Sequence, residues 1–349
     1  MNVYIQLEDG KIFTGSHFGG KMRTVGGTFT VSSCMIGHQE IITDPSNIGK
    51  LMVFTYPLVG GYGMNFADNQ SDQPVVEALI IREKMDHATN FRSEMNLNEY
   101  LRYHDIVGVE DVDTRGLIAH LRKNGPQRGI ITTRLRTPSQ MGELLEGQNP
   151  NVIEEVSVKE IMEIEGAGKK VAVWDFGIKN SCLNALSDLG FNLRVYPAMV
   201  NFDEILEDEP ELLFLSSGPG NAAHYTDLVK DIRQVMGQVP IFAMGLGAQL
   251  LGLALGATLT KLPMGHYGTS LAVRELEGGA ISMTAQNHDY TLTELEGAGA
   301  EVSHRNVADG SVEGFRHLEK RAHGVLFDPF GKSGADDLAG DITELLKNL

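Results

Sequence analysis

Short apolar strands alternate with amphipathic helices over the second half of the chain, and this alternation restricts the possible folds more than any other feature. Four strand-like runs, the first being VAVWDF at 171–176, are each followed by a helix-like run, the last being AQLLGLALGA at 248–257. Strands separated by helices of about 10–15 residues build right-handed βαβ units in a mainly parallel sheet. A β-rich stretch at 268–317 and a final helix at 335–349 follow. The pattern predicts a doubly wound, mainly parallel α/β domain.

The turn at the end of the fourth strand has an unusual composition. Residues 241–249 read IFAMGLGAQ, in which an apolar strand enters a glycine-flanked turn and an apolar helix leaves it. A strand-to-helix turn of this kind is the layout of a nucleophile elbow, which holds one reactive side chain in a strained backbone conformation. Here the tip of the turn is Gly245, which has no side chain and tolerates positive φ. The scaffold suits covalent catalysis, but the residue at its tip cannot react with a substrate.

The first half of the chain has a different pattern. Short β-like runs separated by Gly and Asp turns predominate, and helices are predicted at 96–104 and 115–123. Such a mixture is typical of a β-rich or α+β domain. The glycine-containing segment EGAGKK at 165–170 predicts a linker. We therefore expect two domains, at 1–165 and 166–349.

Composition and charge limit the class of protein. A chain of 349 residues with 42% hydrophobic residues fits about two globular domains. The net charge of −17 argues against a nucleic-acid-binding protein, which would need a basic face. No apolar run is long enough to cross a bilayer, and the N-terminus lacks the basic and apolar regions of a signal peptide. We expect a cytoplasmic protein that binds neither nucleic acid nor membrane.

The two cysteines, Cys34 and Cys182, are too few for a disulfide framework or a cysteine-based zinc site. Cys182 lies in a predicted helix and is expected to be buried packing. Cys34 is a conceivable replacement nucleophile, but a free cysteine is more often a small core hydrophobe, and we favour packing for it as well.

Motifs in matching order along almost the whole chain point to one family. In the first half they are LEDGKIFTG (7–15), IGHQEIITDPS (36–46), FTYPLVGGYGMN (54–65), NFR (90–92) and DVDTRGL (111–117). In the second half they include WDFGIKN (174–180), LSSGPGNAAHY (215–225), MGLGAQLLGLALGA (244–257), TAQNHDYT (284–291), DGSVEGFRH (309–317) and VLFDPF (325–330). The chain resembles the small, glutamine-hydrolysing subunit of carbamoyl phosphate synthetase. The resemblance implies that subunit's N-terminal domain followed by a class I (triad-type) glutamine amidotransferase domain.

The resemblance also implies where the family's catalytic residues would lie. The family hydrolyses glutamine with a Cys–His–Glu triad, on a G-x-C-x-G-x-Q elbow and an F-H-P-E motif. In this sequence the Cys position is Gly245, the His position is Asp328 and the Glu position is Phe330, with Pro329 kept between the last two. The histidine that follows the elbow in many relatives is Ala248.

These replacements remove the chemistry of the triad. Without a thiolate at position 245 no acyl-enzyme forms. Asp328 is an anion at neutral pH and cannot replace an imidazole, and Phe330 cannot orient a base by hydrogen bonding. The sequence therefore predicts that the chain is inactive as a glutaminase, while another enzymatic activity stays open.

Further positions match those that hold glutamine in the family. Gly220, in the loop SSGPG at 216–220, and the amide of Leu246 would supply the oxyanion hole. The other matching positions are Ser46, Gly218, Gln249, Asn287, Asp289 and Tyr290. Asp289 replaces a usual Gly and Tyr290 a usual Phe, so the Asp289 carboxylate is expected to crowd or repel the substrate. A G-P-G loop alone is usually an ordinary tight turn, but together with the elbow it predicts a retained pocket for glutamine or a glutamine-like ligand.

The histidines offer the donor atoms of a possible metal site. The residue types of His266, His288, Asp289 and Asp328 would allow coordination. No HxxxH or similar spacing supports it, and scattered His and Asp are usually surface or hydrogen-bonded core residues. The sequence predicts neither a metal nor a cofactor.

Two functions from different classes are compatible with these observations. In the first, the chain is a non-catalytic structural or regulatory partner of a large synthetase subunit that uses free ammonia, in the formation of a pyrimidine and arginine precursor. The better preserved motifs of the N-terminal domain, which makes much of that contact in the family, favour this function. In the second, the chain is a repurposed small-molecule sensor or an enzyme of altered chemistry, in which Gly245 and Ala248 leave space, Asp328 adds a charge and Phe330 adds an apolar wall.

Overall fold

The computed structural model describes residues 1–146, 153–331, 345, 346 and 349, which divide into two compact units, Met1–Asn149 and Pro150–Leu349. The division lies before the expected boundary at 165/166, because Met162–Ile164 is already a strand in the sheet of the second unit. The segment EGAGKK is therefore a connection inside that unit and not the linker. Most of the final helix predicted at 335–349 lies outside the described residues.

The first unit is β-rich, as the sequence pattern predicts, and its main sheet closes into a barrel with helices packed around it. Its strands are β1 (Asn2–Leu7), β2 (Ile12–Gly19), β3 (Val25–Ser32), β4 (Lys50–Phe54), β5 (Leu58–Val59), β6 (Ala78–Ile80), β7 (Glu83–Lys84), β8 (Val107–Glu110) and β9 (Arg128–Thr132). Its α-helices are α1 (His38–Thr43), α2 (Leu97–Tyr103), α3 (Thr114–Asn124) and α4 (Pro138–Glu146). The barrel order is β1-β2-β8-β6-β4-β3-β9, and β5 and β7 form a separate parallel pair.

Local sequence explains the two helices that were predicted in this unit. Helix α2 begins with a capping box, in which the Asn96 side chain accepts the Glu99 N–H and the Glu99 carboxylate accepts the Asn96 N–H. Helix α3 begins after Asp113, whose carboxylate accepts the Gly116 N–H at 3.0 Å. Both helices lie where the sequence predicts them.

The second unit contains one ten-stranded sheet. Its strands are β10 (Met162–Ile164), β11 (Lys170–Trp174), β12 (Asn192–Tyr196), β13 (Leu212–Leu215), β14 (Ile241–Met244), β15 (Thr258–Glu275), β16 (Ile281–Thr293), β17 (Glu301–Asn306), β18 (Val312–His317) and β19 (Ala322–Val325). Its α-helices are α5 (Ile153–Val156), α6 (Asn180–Asp188), α7 (Phe202–Glu207), α8 (Thr226–Val235) and α9 (Leu246–Leu255). The strand order is β10-β12-β11-β13-β14-β19-β18-β17-β15-β16.

The centre of this sheet is parallel and covered on both faces. Strands β12, β11, β13, β14 and β19 pair in parallel, whereas β10 and the strands β15 to β18 pair antiparallel. Alternate residues enter two separate apolar clusters: Trp174 and Leu215 pack with α7, α8 and α9, and Val173 and Phe214 pack with α6. Because side chains alternate across a strand, helices on both faces bury most residues of these strands, including all of β13 and β14. The doubly wound α/β prediction is confirmed.

The parallel strands also fix the place of the candidate site. Their carboxyl ends lie at one edge of the sheet, where open α/β sheets bind ligands. The segments that follow β11, β13, β14 and β19 therefore come together at that edge.

Within the described ranges, no helix combines the length and apolarity needed to cross a membrane.

Candidate functional site

The turn after β14 has the backbone of a nucleophile elbow. Gly245 lies between β14 and α9 with φ 54° and ψ −119°, a conformation that side-chain-bearing residues adopt only under strain. The Gly245 N–H donates to the Val325 carbonyl at 2.9 Å, and the Gly245 carbonyl accepts the Gln249 N–H at 3.1 Å. The turn is thus held by β19 on one side and by the first turn of α9 on the other.

The SSGPG loop packs directly against this turn. The Gly247 N–H donates to the Ser216 carbonyl at 2.9 Å, and a Cβ added to Gly245 would lie 3.0 Å from the Ser217 Cβ. A Cβ on Gly218 would lie only 2.2 Å from the Phe176 carbonyl, so only glycine fits there. The loop and the elbow are therefore in contact through backbone atoms.

The segment after β19 brings Asp328 to the same edge of the sheet. Its N–H donates to the Ala285 carbonyl at 2.8 Å, and its carboxylate accepts the Phe330 N–H at 2.8 Å. The carboxylate also forms an ion pair with the Lys179 ammonium group, and the two side chains are only 10% and 13% exposed. Asp328 is thus a neutralised and hydrogen-bonded carboxylate.

Lys179 was not among the predicted site residues. It follows β11 and precedes α6. The turn that presents it is held by the buried Asp175 carboxylate, which accepts the Gly177 and Ile178 N–H groups at 2.7 Å each. Burial raises the pKa of Asp175, although these hydrogen bonds favour its charged form. The available signal was a lysine at the carboxyl end of a parallel strand, in the motif WDFGIKN.

Phe330 lies elsewhere than expected. The sequence suggested an apolar wall beside the vacated nucleophile position. In the structure Phe330 is 8% exposed, and its ring centroid lies 6.5 Å from that of Phe214. Both rings belong to the apolar cluster that packs under α6. Phe330 is therefore a core residue, because an aromatic ring gains more by burial than by facing a polar site.

Two buried oxygen atoms beside the elbow have no hydrogen-bond partner among the described residues. They are Ser217 Oγ and Gln249 Oε1. Ser217 lies against Gly245, and Gln249 is in the first turn of α9, with exposures of 9% and 4%. Because a buried polar atom without a partner is costly, these two atoms mark a place where a ligand group would be stabilised.

A side-chain hydrogen bond joins the motif in β16 to the residue that follows the SSGPG loop. The Asn221 amide, directly after Gly220, donates to the Tyr290 hydroxyl at 3.2 Å. Asp289 accepts a hydrogen bond from the Tyr267 hydroxyl, and burial together with this carboxylate raises the pKa of Tyr267. The Asp289 carboxylate is thus hydrogen-bonded to a residue of β15.

The remaining predicted pocket residues differ in their surroundings. Leu246 is buried in the apolar cluster on the α9 face of the sheet. Gly220 has a φ of 93°, which favours glycine. Asn287 is half-buried and pairs with Tyr267 across the β15–β16 ladder. Ser46 belongs to the first unit, where its N–H donates to the Asp44 carboxylate at 2.9 Å.

A second polar cluster lies in the antiparallel part of the sheet. His266 and His288 are cross-strand partners on β15 and β16, and Glu313 on β18 lies between them. The sequence analysis groups these histidines with Asp289 and Asp328 as possible ligands. In the structure Asp289 instead accepts a hydrogen bond from Tyr267, and Asp328 pairs with Lys179. Glu313 was missed, since a buried carboxylate on a strand has no local sequence signal.

Sequence comparisons identify the family. The model of the carbamoyl-phosphate synthase small chain, CPSase domain, matches residues 5–131, and that of class-I glutamine amidotransferase matches residues 172–338. A carbamoyl phosphate synthase small chain from Clostridium perfringens is 37% identical over 99% of this chain and 99% of its own length. The chain belongs to the carbamoyl phosphate synthase small chain family. Small chains from Caldanaerobacter subterraneus and Clostridium acetobutylicum are 36% and 35% identical, each over 97% of this chain and over 93% and 97% of their own lengths.

The amidotransferase match contains the elbow, the SSGPG loop, the His266–His288–Glu313 cluster and Asp328. The two cysteines lie apart from these features in the sequence. Cys182 on α6 is fully buried, which raises the pKa of its thiol to about 12, so it is packing as predicted. Cys34 is a buried residue of the first unit.

Proposed function

We propose that this chain is a carbamoyl phosphate synthase small chain that does not hydrolyse glutamine and acts as a structural or regulatory partner of a large synthetase subunit. The observation that carries the proposal is a glycine at the tip of an intact elbow. The family resemblance assigns the nucleophilic cysteine to that position.

The contacts of Asp328 support the same proposal. The family resemblance assigns the triad histidine to this position. A general base needs a free lone pair near the nucleophile, but the Asp328 carboxylate is paired with Lys179 and accepts the Phe330 N–H. Phe330, at the position assigned to the triad glutamate, is in the apolar core.

The partner follows from the family. Small chains of this family work with a large synthetase subunit, and the relatives match this chain over both units. Loss of the reactive side chains leaves backbone and packing unchanged, because a scaffold is held by its core. We therefore infer that a large subunit supplied with free ammonia still binds this chain, in the route to pyrimidines and arginine, in the cytoplasm.

Two measurements test the proposal. Ammonia release from glutamine should equal the buffer blank, beside an active class I glutaminase as positive control. Co-expression with a large synthetase subunit should give a complex that co-purifies and makes carbamoyl phosphate from ammonia but not from glutamine. Glutamine hydrolysis above the blank that survives Cys34→Ser would refute the proposal, as would the absence of any complex.

The unpartnered oxygens of Ser217 and Gln249 favour one alternative, a repurposed ligand-binding site. A ligand with amide or ammonium donors would satisfy both atoms. Calorimetric titration with glutamine should then give saturable binding that Gln249→Leu removes, while Gln238→Leu, in the exposed turn after α8, retains it. Absence of heat with glutamine and with ammonium would eliminate this alternative.

A further inference from the structure

We propose that His266, His288 and Glu313 bind one divalent cation of the zinc type. The three residues come from β15, β16 and β18, all three are buried, and one ligand atom of each lies within 4.8 Å of the others. This site is separate from the elbow, and the proposal does not depend on whether the chain hydrolyses glutamine.

The hydrogen bond of His288 fixes which of its nitrogens is free. His288 Nδ1 lies 3.0 Å from the Tyr290 carbonyl oxygen, which only accepts, so Nδ1 carries the proton. In the neutral ring the lone pair is then on Nε2, which points to Glu313 Oε2 at 3.4 Å. Both atoms are buried, and neither has a hydrogen-bond partner among the described residues. Two buried acceptors that face one another are costly unless a proton or a metal ion lies between them.

His266 differs from His288, because both of its ring nitrogens face carboxylates. Its Nε2 lies 2.9 Å from Asp309 Oδ2, so this nitrogen donates outward to a carboxylate. Its Nδ1 lies 2.8 Å from Glu313 Oε1, so without a metal this nitrogen donates to the carboxylate, and a bound cation would displace that proton. Metal-binding histidines typically donate their outer N–H to a carboxylate or a backbone carbonyl, and here Asp309 and the Tyr290 carbonyl have those positions.

The 3.4 Å separation of His288 Nε2 and Glu313 Oε2 fits two ligands of one metal ion better than a direct hydrogen bond. Two ligand atoms each about 2.1 Å from zinc at a tetrahedral angle are about 3.4 Å apart. A charge-assisted N–H···O bond would be about 2.7–2.9 Å long. Two imidazoles and one carboxylate favour zinc, cobalt, nickel or ferrous iron over magnesium or calcium.

The strands are arranged to bring the ligands together. The β15–β16 register shifts between Lys261 and His266, and this irregularity places His266 opposite His288. Glu313 reaches both from β18, and the Thr291 hydroxyl donates to the neighbouring Val312 carbonyl at 2.8 Å. A bound ion would join the long β15–β16 hairpin to β18. It would thereby hold the Asn287–Tyr290 segment of the candidate pocket in place.

The full-length protein, stripped with a chelator, should be titrated with zinc and separately with cobalt. We expect one ion per chain in calorimetry, and a visible cobalt absorption typical of low-coordinate nitrogen and oxygen ligands. His288→Gln and Glu313→Gln should remove this binding. Asp309→Asn, at a partly exposed position that leaves the ligands intact, should weaken it by about 10–100-fold. His224→Gln, which changes an exposed histidine outside the cluster, should bind as the unchanged chain does.

Three results would overturn the proposal. One is well below one ion per chain at saturating zinc. Another is equal binding by the unchanged chain and by His288→Gln, which would assign the metal to surface groups. The third is equal cobalt affinity in Asp309→Asn, a variant that keeps its packing even if the ligand variants do not fold.

Discussion

The elbow at Gly245 and the cluster of His266, His288 and Glu313 belong to the same unit but differ in what they retain. The elbow retains a backbone conformation, and the cluster retains its ionisable side chains. At the elbow the backbone has the conformation of a reactive turn, although its tip bears no side chain. At the cluster the ionisable side chains are all present and face one another. Strand pairing and helix packing hold the elbow without any help from the reactive group. A buried charge cluster instead depends on every member, because each lost partner leaves an unpaired polar atom.

The largest effect is expected at the cluster. Glu313→Ala should lower the free energy of unfolding by about 3–5 kcal/mol, because it leaves two buried imidazoles without their shared carboxylate. Urea denaturation measures this loss. Glu301→Ala, which breaks an exposed pair with Arg316, is the matched control and should cost less than about 1 kcal/mol. Equal losses of unfolding free energy in the two variants would mean that the buried cluster stabilises the fold no more than a surface ion pair does.

The ion pair beside the elbow should come next. Asp328→Ala should destabilise by about 3 kcal/mol, because Lys179 is left almost buried without a partner. The double variant Lys179→Met, Asp328→Ala should regain most of this loss, and with both single variants it should give a coupling energy of about 2 kcal/mol in a double-mutant cycle. Additive losses in that cycle would mean that the two charges do not stabilise one another.

His323 is half-buried, and the guanidinium group of Arg316 acts on it. Burial, together with the smaller effect of the Arg316 guanidinium, lowers its pKa from 6.5 to about 4. Since the unfolded chain binds the proton more tightly, stability should fall as the pH drops from 6.5 towards 4, by about 2 kcal/mol for this group. His323→Gln should flatten that part of the pH profile, and an unchanged slope would contradict the assignment.

The smallest stability change is expected at the elbow itself. Gly245→Cys should cost about 1–2 kcal/mol, because φ is 54° and the new Cβ would lie 3.0 Å from the Ser217 Cβ. Gly245→Ala, the control without a thiol, should cost the same in urea denaturation, and adding Ser217→Gly should relieve part of it.

Gly245→Cys should also remain inactive on glutamine, because its thiol has no imidazole partner. Adding Asp328→His and Phe330→Glu should restore some ammonia release, at a loss of stability, because a carboxylate at 330 enters the core beside Phe214. Turnover by the single variant would contradict this mechanism.

Much of the second unit could be predicted from the sequence. The alternation of strands and helices gave the parallel centre, since the period of apolar residues is a local property. The closure of the barrel and the extension of the sheet to ten strands could not be predicted, because both depend on pairing between strands far apart in the chain. The expected boundary at 165/166 failed for the same reason, since Met162–Ile164 pairs with β12.

The sequence by itself determined the family, the fold of the second unit and the glycine at the elbow tip. Only the tertiary structure decided which charges meet: Lys179 with Asp328, and Glu313 with His266 and His288. The structure also places Phe330 in the apolar core, whereas the sequence predicted that it would form a wall of the pocket. Motifs and periodicity are read along the chain, whereas the partner of a buried charge is set by strand order and register, which bring together residues more than a hundred positions apart, such as Lys179 and Asp328.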